Sequence, residues 1–170
     1  IDLPPKNWNG NEAFKLACEK GHSGLVWTLI QNSATLKIDF PPQNWDSNAC
    51  FRKACENGHL EMAAILMNNA ATLGIDLNSR DNSNLFGKTA FSWACEKGHA
   101  DVVKLLMENA TKMSIDLNAK DNIGDTGFHD ACYYGQTSTV ELLLNNADAL
   151  HLDLNSKNND GDTGPHLAGV

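Results

Sequence analysis

One six-residue phrase returns along this chain at a nearly fixed interval, and it constrains the fold more than any other feature. Ala17-Cys18-Glu19-Lys20-Gly21-His22 comes back as Ala54-Cys55-Glu56-Asn57-Gly58-His59 and as Ala94-Cys95-Glu96-Lys97-Gly98-His99. It returns a last time, altered, as Ala131-Cys132-Tyr133-Tyr134-Gly135-Gln136. A second phrase keeps the same beat: Ile1-Asp2-Leu3, Ile38-Asp39-Phe40, Ile75-Asp76-Leu77, Ile115-Asp116-Leu117 and Leu152-Asp153-Leu154. Self-similarity at a period of about 20–50 residues is the mark of stacked supersecondary units. The units run 1–37, 38–74, 75–114, 115–151 and, in part, 152–170, within a single domain.

Each unit reads as two short helices and a turn. In the third, Thr89 can cap a helix by accepting a free backbone N–H. Phe91, Ala94 and Cys95 follow at spacings of three and four, which puts them on one helical face. Gly98 suits the left-handed residue that closes such a helix. Val102, Val103, Leu105, Leu106 and Met107 then form the buried stripe of a second helix. Leu25, Val26, Leu29 and Ile30 do so in the first unit, Met62, Ala63, Ile65 and Leu66 in the second, and Val140, Leu142, Leu143 and Leu144 in the fourth. Turn residues come next, as in Asn118 to Gly124. One such unit is too thin to bury its own apolar face, so a stack is expected.

These residues resemble the ankyrin repeat along essentially the whole chain. Gly87-Lys88-Thr89-Ala90-Phe91 and Gly124-Asp125-Thr126-Gly127-Phe128-His129 occupy the family's G-x-T-P-L-H segment. Ile115-Asp116-Leu117-Asn118-Ala119-Lys120-Asp121 looks like its A-D-V-N-A-K-D turn. The resemblance implies an all-α, ankyrin-type helix-turn-helix solenoid with protruding β-turn or hairpin loops. It also implies that His129 and His166 are hydrogen-bonded structural residues. There are departures. The common unit of 37 residues exceeds the family's 33 or so. The excess lies in Thr35–Lys37, Thr72–Gly74, Thr111–Ser114 and Asp148–His151, and reads as one extra helical turn. Glu12 and Ala49 stand where the capping threonine belongs, and Lys15 and Arg52 replace the histidine. Pro165 takes the place of an apolar residue.

Composition excludes several classes. A 42% hydrophobic fraction with 20% charged residues is neither disordered nor fibrous. The longest apolar run, Met62 to Met67, cannot cross a bilayer, which needs about 20 residues, so no membrane insertion is expected. Net charge is −8 and the 13 Lys and Arg are scattered, which argues against nucleic acid. No Cys pair has C-x-x-C spacing. Cys18, Cys55, Cys95 and Cys132 read as small buried thiols in a reducing compartment, cytoplasmic or nuclear. The start at Ile1 reads as a piece of a longer protein.

Three tempting motifs carry no chemistry. Asp125-Thr126-Gly127 and Asp162-Thr163-Gly164 are D-T-G triplets, but they lie one repeat apart, about 10 Å, too far to share a proton. His22, His59 and His99 form a column, one per repeat, and not a coordination sphere. No phosphate-cradling G-x-x-x-x-G-K-[ST] is present. No catalytic residue, cofactor or metal is therefore expected.

The expected function is non-catalytic protein binding. The family resemblance puts contacts on the turn tips and the exposed side of the first helix, the concave face of the solenoid. Nine residues fit: Trp8, Trp45, Arg80, Leu85, Phe86, Trp93, Ile123, Tyr133 and Tyr134. Large aromatics in exposed tips need cover, and Trp and Tyr dominate binding hot spots; the alternative cover for Trp8 and Trp45 is their own proline pairs and the neighbouring repeat, and Leu85-Phe86 reads equally as a contact point or a local hydrophobic clasp. Trp93 shares its register position with Lys53 and Asp130, so that position reads as wet. Trp27 shares its position with Lys104 and Glu141 and reads as outer surface. Glu19-Lys20, Glu56-Asn57 and Glu96-Lys97 read as contact pairs at the helix ends. The acidic balance favours a basic partner protein and a monomeric chain. The competing reading is a regulatory segment of a larger enzyme or channel.

Overall fold

The structure, a computed structural model, describes residues 9–40, 46–82 and 85–169. Trp8 and Trp45 lie outside the described residues. Four first helices are α1 (Gly10–Glu19), α4 (Ser47–Glu56), α7 (Ala90–Lys97) and α9 (Gly127–Tyr133). Their partners are α2 (Ser23–Gln31), α5 (Leu60–Asn68), α8 (Ala100–Met113) and α10 (Thr137–Leu150). Two short turns, α3 (Ser33–Leu36) and α6 (Ala70–Leu73), follow α2 and α5; α11 (Gly164–Leu167) opens the fifth unit. No described residue is in a strand, and no described helix is long and apolar enough to cross a membrane.

The repeat makes the core a set of columns. Phe14, Phe51, Phe91 and Phe128 occupy one register position, and all are buried. The Ala-Cys pairs 17–18, 54–55, 94–95 and 131–132 form the next columns, where small side chains let α4, α7, α9 and α11 pack closely. Val26, Leu29, Met62, Leu66, Val103, Leu106 and Leu143 fill the layer between first and second helices. Burying each such side chain contributes about 2 kcal/mol. Leu25 and Leu144 are exceptions to the expected stripes. They are 47% and 51% exposed, because they sit on the sides of α2 and α10 turned from the first helices.

The first two units do have helix caps, three residues earlier than the threonine position. Asn9 accepts the N–H of Glu12 at 3.2 Å, and Asp46 accepts that of Ala49 at 2.9 Å. Glu12 and Ala49 are thus inside their helices, which begin about a turn before α7 and α9. Thr89, Thr126 and Thr163 cap α7, α9 and α11, so both D-T-G triplets are helix starts. Pro165 sits in the first turn of α11, where no N–H is needed.

The extra residues form the expected extra turn. It continues α8 and α10 to fourteen residues and stands as α3 and α6 in the first two units. Every copy ends left-handed, at Lys37, Gly74, Ser114 and His151, with φ between 52° and 63°.

Side chains bind each repeat to the next. Asn48, Asn78 and Asn118 accept the N–H of Asp76, Asp116 and Asp153 in the following unit at 2.8–2.9 Å. The Gly-His column has the same job. Gly98 closes α7 with φ 73°, and a Cβ there would lie 2.1 Å from the Gln136 side chain that crosses it. That amide donates to the Glu96 carbonyl at 2.7 Å, as His99 pairs with the Glu56 carbonyl at 2.9 Å.

Candidate functional site

The turn tips are stitched into a wall. Asn122 donates its N–H to the Phe86 carbonyl at 2.7 Å and its amide to the Leu85 carbonyl at 2.8 Å. Asn159 repeats this one unit on, against Ile123 and Asn122 at 3.0 and 3.1 Å. Within a tip, Asp121 accepts from the N–H groups of Ile123 and Asp125, the turn that Asp side chains favour. The tip backbones touch so closely at Gly124 (φ 86°) that a Cβ would fall 2.7 Å from the Asn159 nitrogen.

His129 ties this wall to the helices. Its Nδ1 accepts the Thr126 N–H at 3.2 Å, which places the ring proton on Nε2, 3.1 Å from the Asp162 carbonyl. The ring is fully buried. His166 makes the equivalent contacts with Thr163. The structural role implied for both histidines is what the geometry has. Arg52, at the same register position, reaches the next unit too, donating to Ser79 Oγ at 2.8 Å.

Between the wall and the ends of α7 and α9 lies a groove of about 380 Å³. At its floor is Lys88, 5% exposed. Its ammonium donates to Glu96 Oε2 at 2.7 Å and to Asp130 Oδ1 at 2.5 Å, linking the third repeat to the fourth. Lys97 adds a second bond to Glu96, at 2.7 Å. The ring centroids of Trp93, Phe86 and Tyr134 stand 5.6, 5.7 and 5.9 Å from the Lys88 nitrogen, within cation–π range. Tyr133 packs edge-on against Tyr134, with centroids 5.0 Å apart.

The charges at the floor hold one another. Burial opposes the Lys88 charge, but the adjacent Asp130 and Glu96 carboxylates outweigh it and raise its pKa. Burial also raises Glu96, yet hydrogen bonds from Lys88 and Lys97 leave it below the usual carboxylate range. Asp130 is different. Burial pushes it up to about 7 against the pull of Lys88. Burial raises Asp121 as well. Asp130 Oδ2 and Asp121 Oδ2 are buried and have no hydrogen-bond partner among the described residues.

Asp121, Asp125 and Asp130 bring carboxylate oxygens within 4.8 Å of one another, the one such group among the described residues. Its donors would suit a hard cation. Lys88 already supplies positive charge to it, and Asp121 Oδ1 is committed to two backbone N–H groups.

The structure brings five of the nine sequence candidates to this groove: Phe86, Trp93, Ile123, Tyr133 and Tyr134. Leu85 stands beside it on the same tip, 88% exposed. Arg80 does not join them. Its guanidinium is spent on the Gly87 carbonyl and Asn122 Oδ1, at 2.8 and 3.0 Å, and it lines a neighbouring cavity with Asp46, Arg52 and the Trp93 that both cavities share. Trp27 is exposed on α2, as expected. The position shared by Lys53, Trp93 and Asp130 is not uniformly wet: Trp93 is half-buried, and Asp130 is 2% exposed because Lys88 and its rings cover it. Glu96 is likewise buried and turned to Lys88 instead of to a partner.

Lys88, Asp125, Asp160 and Asp162 lie in the expected contact tips and line the groove, but the sequence singles out none of them, and it gives no sign that Asp130 belongs there. Lys88 occupies the variable place of the G-x-T segment, and its acceptor Asp130 is 42 residues away.

The family model for ankyrin repeats matches residues 53–158, with three copies. The chain therefore belongs to the ankyrin-repeat family, whose members are generally protein-interaction modules and typically non-catalytic. A search of the curated proteins found no match.

Proposed function

We propose that the tips and first-helix ends of the third to fifth repeats bind a partner protein without catalysis. The carrying observation is the convergence of Phe86, Trp93, Ile123, Tyr133 and Tyr134 on one groove. Ile123, Tyr133 and Tyr134 are 44%, 62% and 51% exposed, so a contiguous apolar and aromatic surface faces water. Such surface on a folded domain marks an interaction site. The tips are hydrogen-bonded to one another, so little conformational freedom is left to lose on binding. The five free thiols suit a cytoplasmic setting.

The test is a quantitative pull-down with the chain and a Trp93→Ala/Tyr134→Ala variant of unchanged helicity. Proteins captured by the chain and lost from the variant support the reading. Identical captures contradict it.

A further inference from the structure

We propose that this groove receives a basic side chain of the partner, arginine in preference to lysine. The inference rests on the protein-binding reading above and adds what the groove selects.

The walls carry five carboxylates, Glu96, Asp125, Asp130, Asp160 and Asp162, against one ammonium, Lys88. The inner two are bonded to Lys88, and Asp125 accepts from Asn158 at 2.9 Å. Among the described residues the carboxylates of Asp160 and Asp162 at the mouth make no hydrogen bond or ion pair, and Asp160 is exposed. On the floor, Asp130 Oδ2 has no hydrogen-bond partner among the described residues, in a residue only 2% exposed. A surplus of acceptors over donors surrounds an open cavity, which is the electrostatic complement of a cation.

The rings point the same way. Phe86, Trp93 and Tyr134 already stand within 6 Å of an ammonium on their inner side. Tyr133 and Ile123 offer apolar surface toward the mouth, along which the methylene stem of a long basic side chain can lie. A planar guanidinium can stack on a ring and reach two carboxylates as a fork. An ammonium can also approach rings and carboxylates, as Lys88 does, but it is a more strongly hydrated point charge without the planar fork. The shape of the site, rings beside a pair of separate carboxylates, therefore favours arginine. The net charge of −8 would draw such a partner in.

The experiment is an NMR titration of the 170-residue chain with three peptides, acetyl-Ser-Gly-X-Gly-Ser-amide, where X is arginine, lysine or citrulline. Citrulline keeps the shape of arginine and lacks the charge. The expected result is saturable shifts at the Trp93 indole and the Tyr133 and Tyr134 rings, strongest for arginine and about fivefold weaker for citrulline. An Asp160→Asn/Asp162→Asn variant, which keeps the backbone contacts of both residues, should lose about fivefold toward arginine and leave citrulline binding unchanged. Equal binding of arginine and citrulline, lysine binding as tightly as arginine, or shifts confined to other residues would overturn the proposal. If the peptides fail while the pull-down still depends on Trp93 and Tyr134, the groove binds protein but not through a basic side chain. If the pull-down is also unchanged, the protein-binding reading of this face falls with it.

Discussion

The Lys88 ammonium lies 2.5 Å from Asp130 Oδ1, across the junction between the third and fourth repeats. Neither residue meets water to any extent, and the two belong to phrases that the repeat treats as variable. This ion pair sets the floor of the groove and joins two units that are also held by apolar columns, by tip hydrogen bonds and by the Asn78 and Gln136 side chains.

Breaking the pair should be expensive. Lys88→Met leaves Asp130 buried without its cation and Glu96 with Lys97 alone, and breaking a buried pair by removing one partner typically costs about 3–5 kcal/mol. Urea unfolding should show a loss of about 3 kcal/mol for Lys88→Met. The double variant Lys88→Met/Asp130→Leu should recover part of that loss. A double variant no better than the single one would contradict the coupling.

Asp130 gives stability a pH dependence of definite sign. Its folded pKa, about 7, stands above the unfolded value of 3.8. Between those values the folded state holds a proton that the unfolded state has released. The Asp130 contribution is therefore full below about pH 4 and falls as pH rises through 7. Comparison with Asp130→Asn isolates it: the chain should lose stability relative to the variant between pH 5 and pH 8. A relative gain over that interval would reverse the sign.

Left-handed helix ends predict a local optimisation. Ser114 holds φ 54° where the second repeat has Gly74 at φ 63°. Side chains other than glycine pay about 1–2 kcal/mol there, partly offset by the extra freedom glycine has when unfolded. Ser114→Gly should stabilise the chain by about 0.5 kcal/mol, and Gly74→Ala should destabilise it by about 1 kcal/mol. Thermal or urea unfolding reads both.

The thiols should separate by reactivity. Cys18, Cys55, Cys95 and Cys132 are buried, while Cys50 is half-buried. A hydrogen bond to Cys50 together with burial raises Cys18, and burial raises Cys55 and Cys95. Thiolate is the reacting form, so these groups should be slow. A water-soluble thiol reagent on the native chain should label Cys50 first, as peptide mapping would show. Faster labelling of Cys55 or Cys95 would mean that the column opens.

Much of the fold was legible because repetition supplies its own alignment. The Phe and Ala-Cys columns follow directly from residues 17–18, 54–55, 94–95 and 131–132 standing in register. The starts of α1 and α4 were not legible. Their caps, Asn9 and Asp46, lie outside the threonine register, and only local geometry shows which polar residue takes the free N–H. Part of the groove was legible too: Phe86, Trp93, Ile123, Tyr133 and Tyr134 stand out as aromatics and an isoleucine at tips and helix ends. Lys88 and Asp130 did not, because a single buried pair 42 residues apart breaks the periodic pattern instead of following it. Reading Trp93 and Asp130 as one wet position failed for the same reason. Register fixes which residues share a column, but a unique ion pair decides which of them water reaches.

The most direct test of the binding face is site-specific photo-crosslinking. A photoreactive phenylalanine analogue at Tyr133 lies at the groove mouth, and one at Trp27 lies on the second-helix surface; both sites are exposed. In extracts containing partners, covalent adducts should form from Tyr133 and not from Trp27. Adducts from Trp27 alone would contradict the assignment of the groove face as the surface that binds.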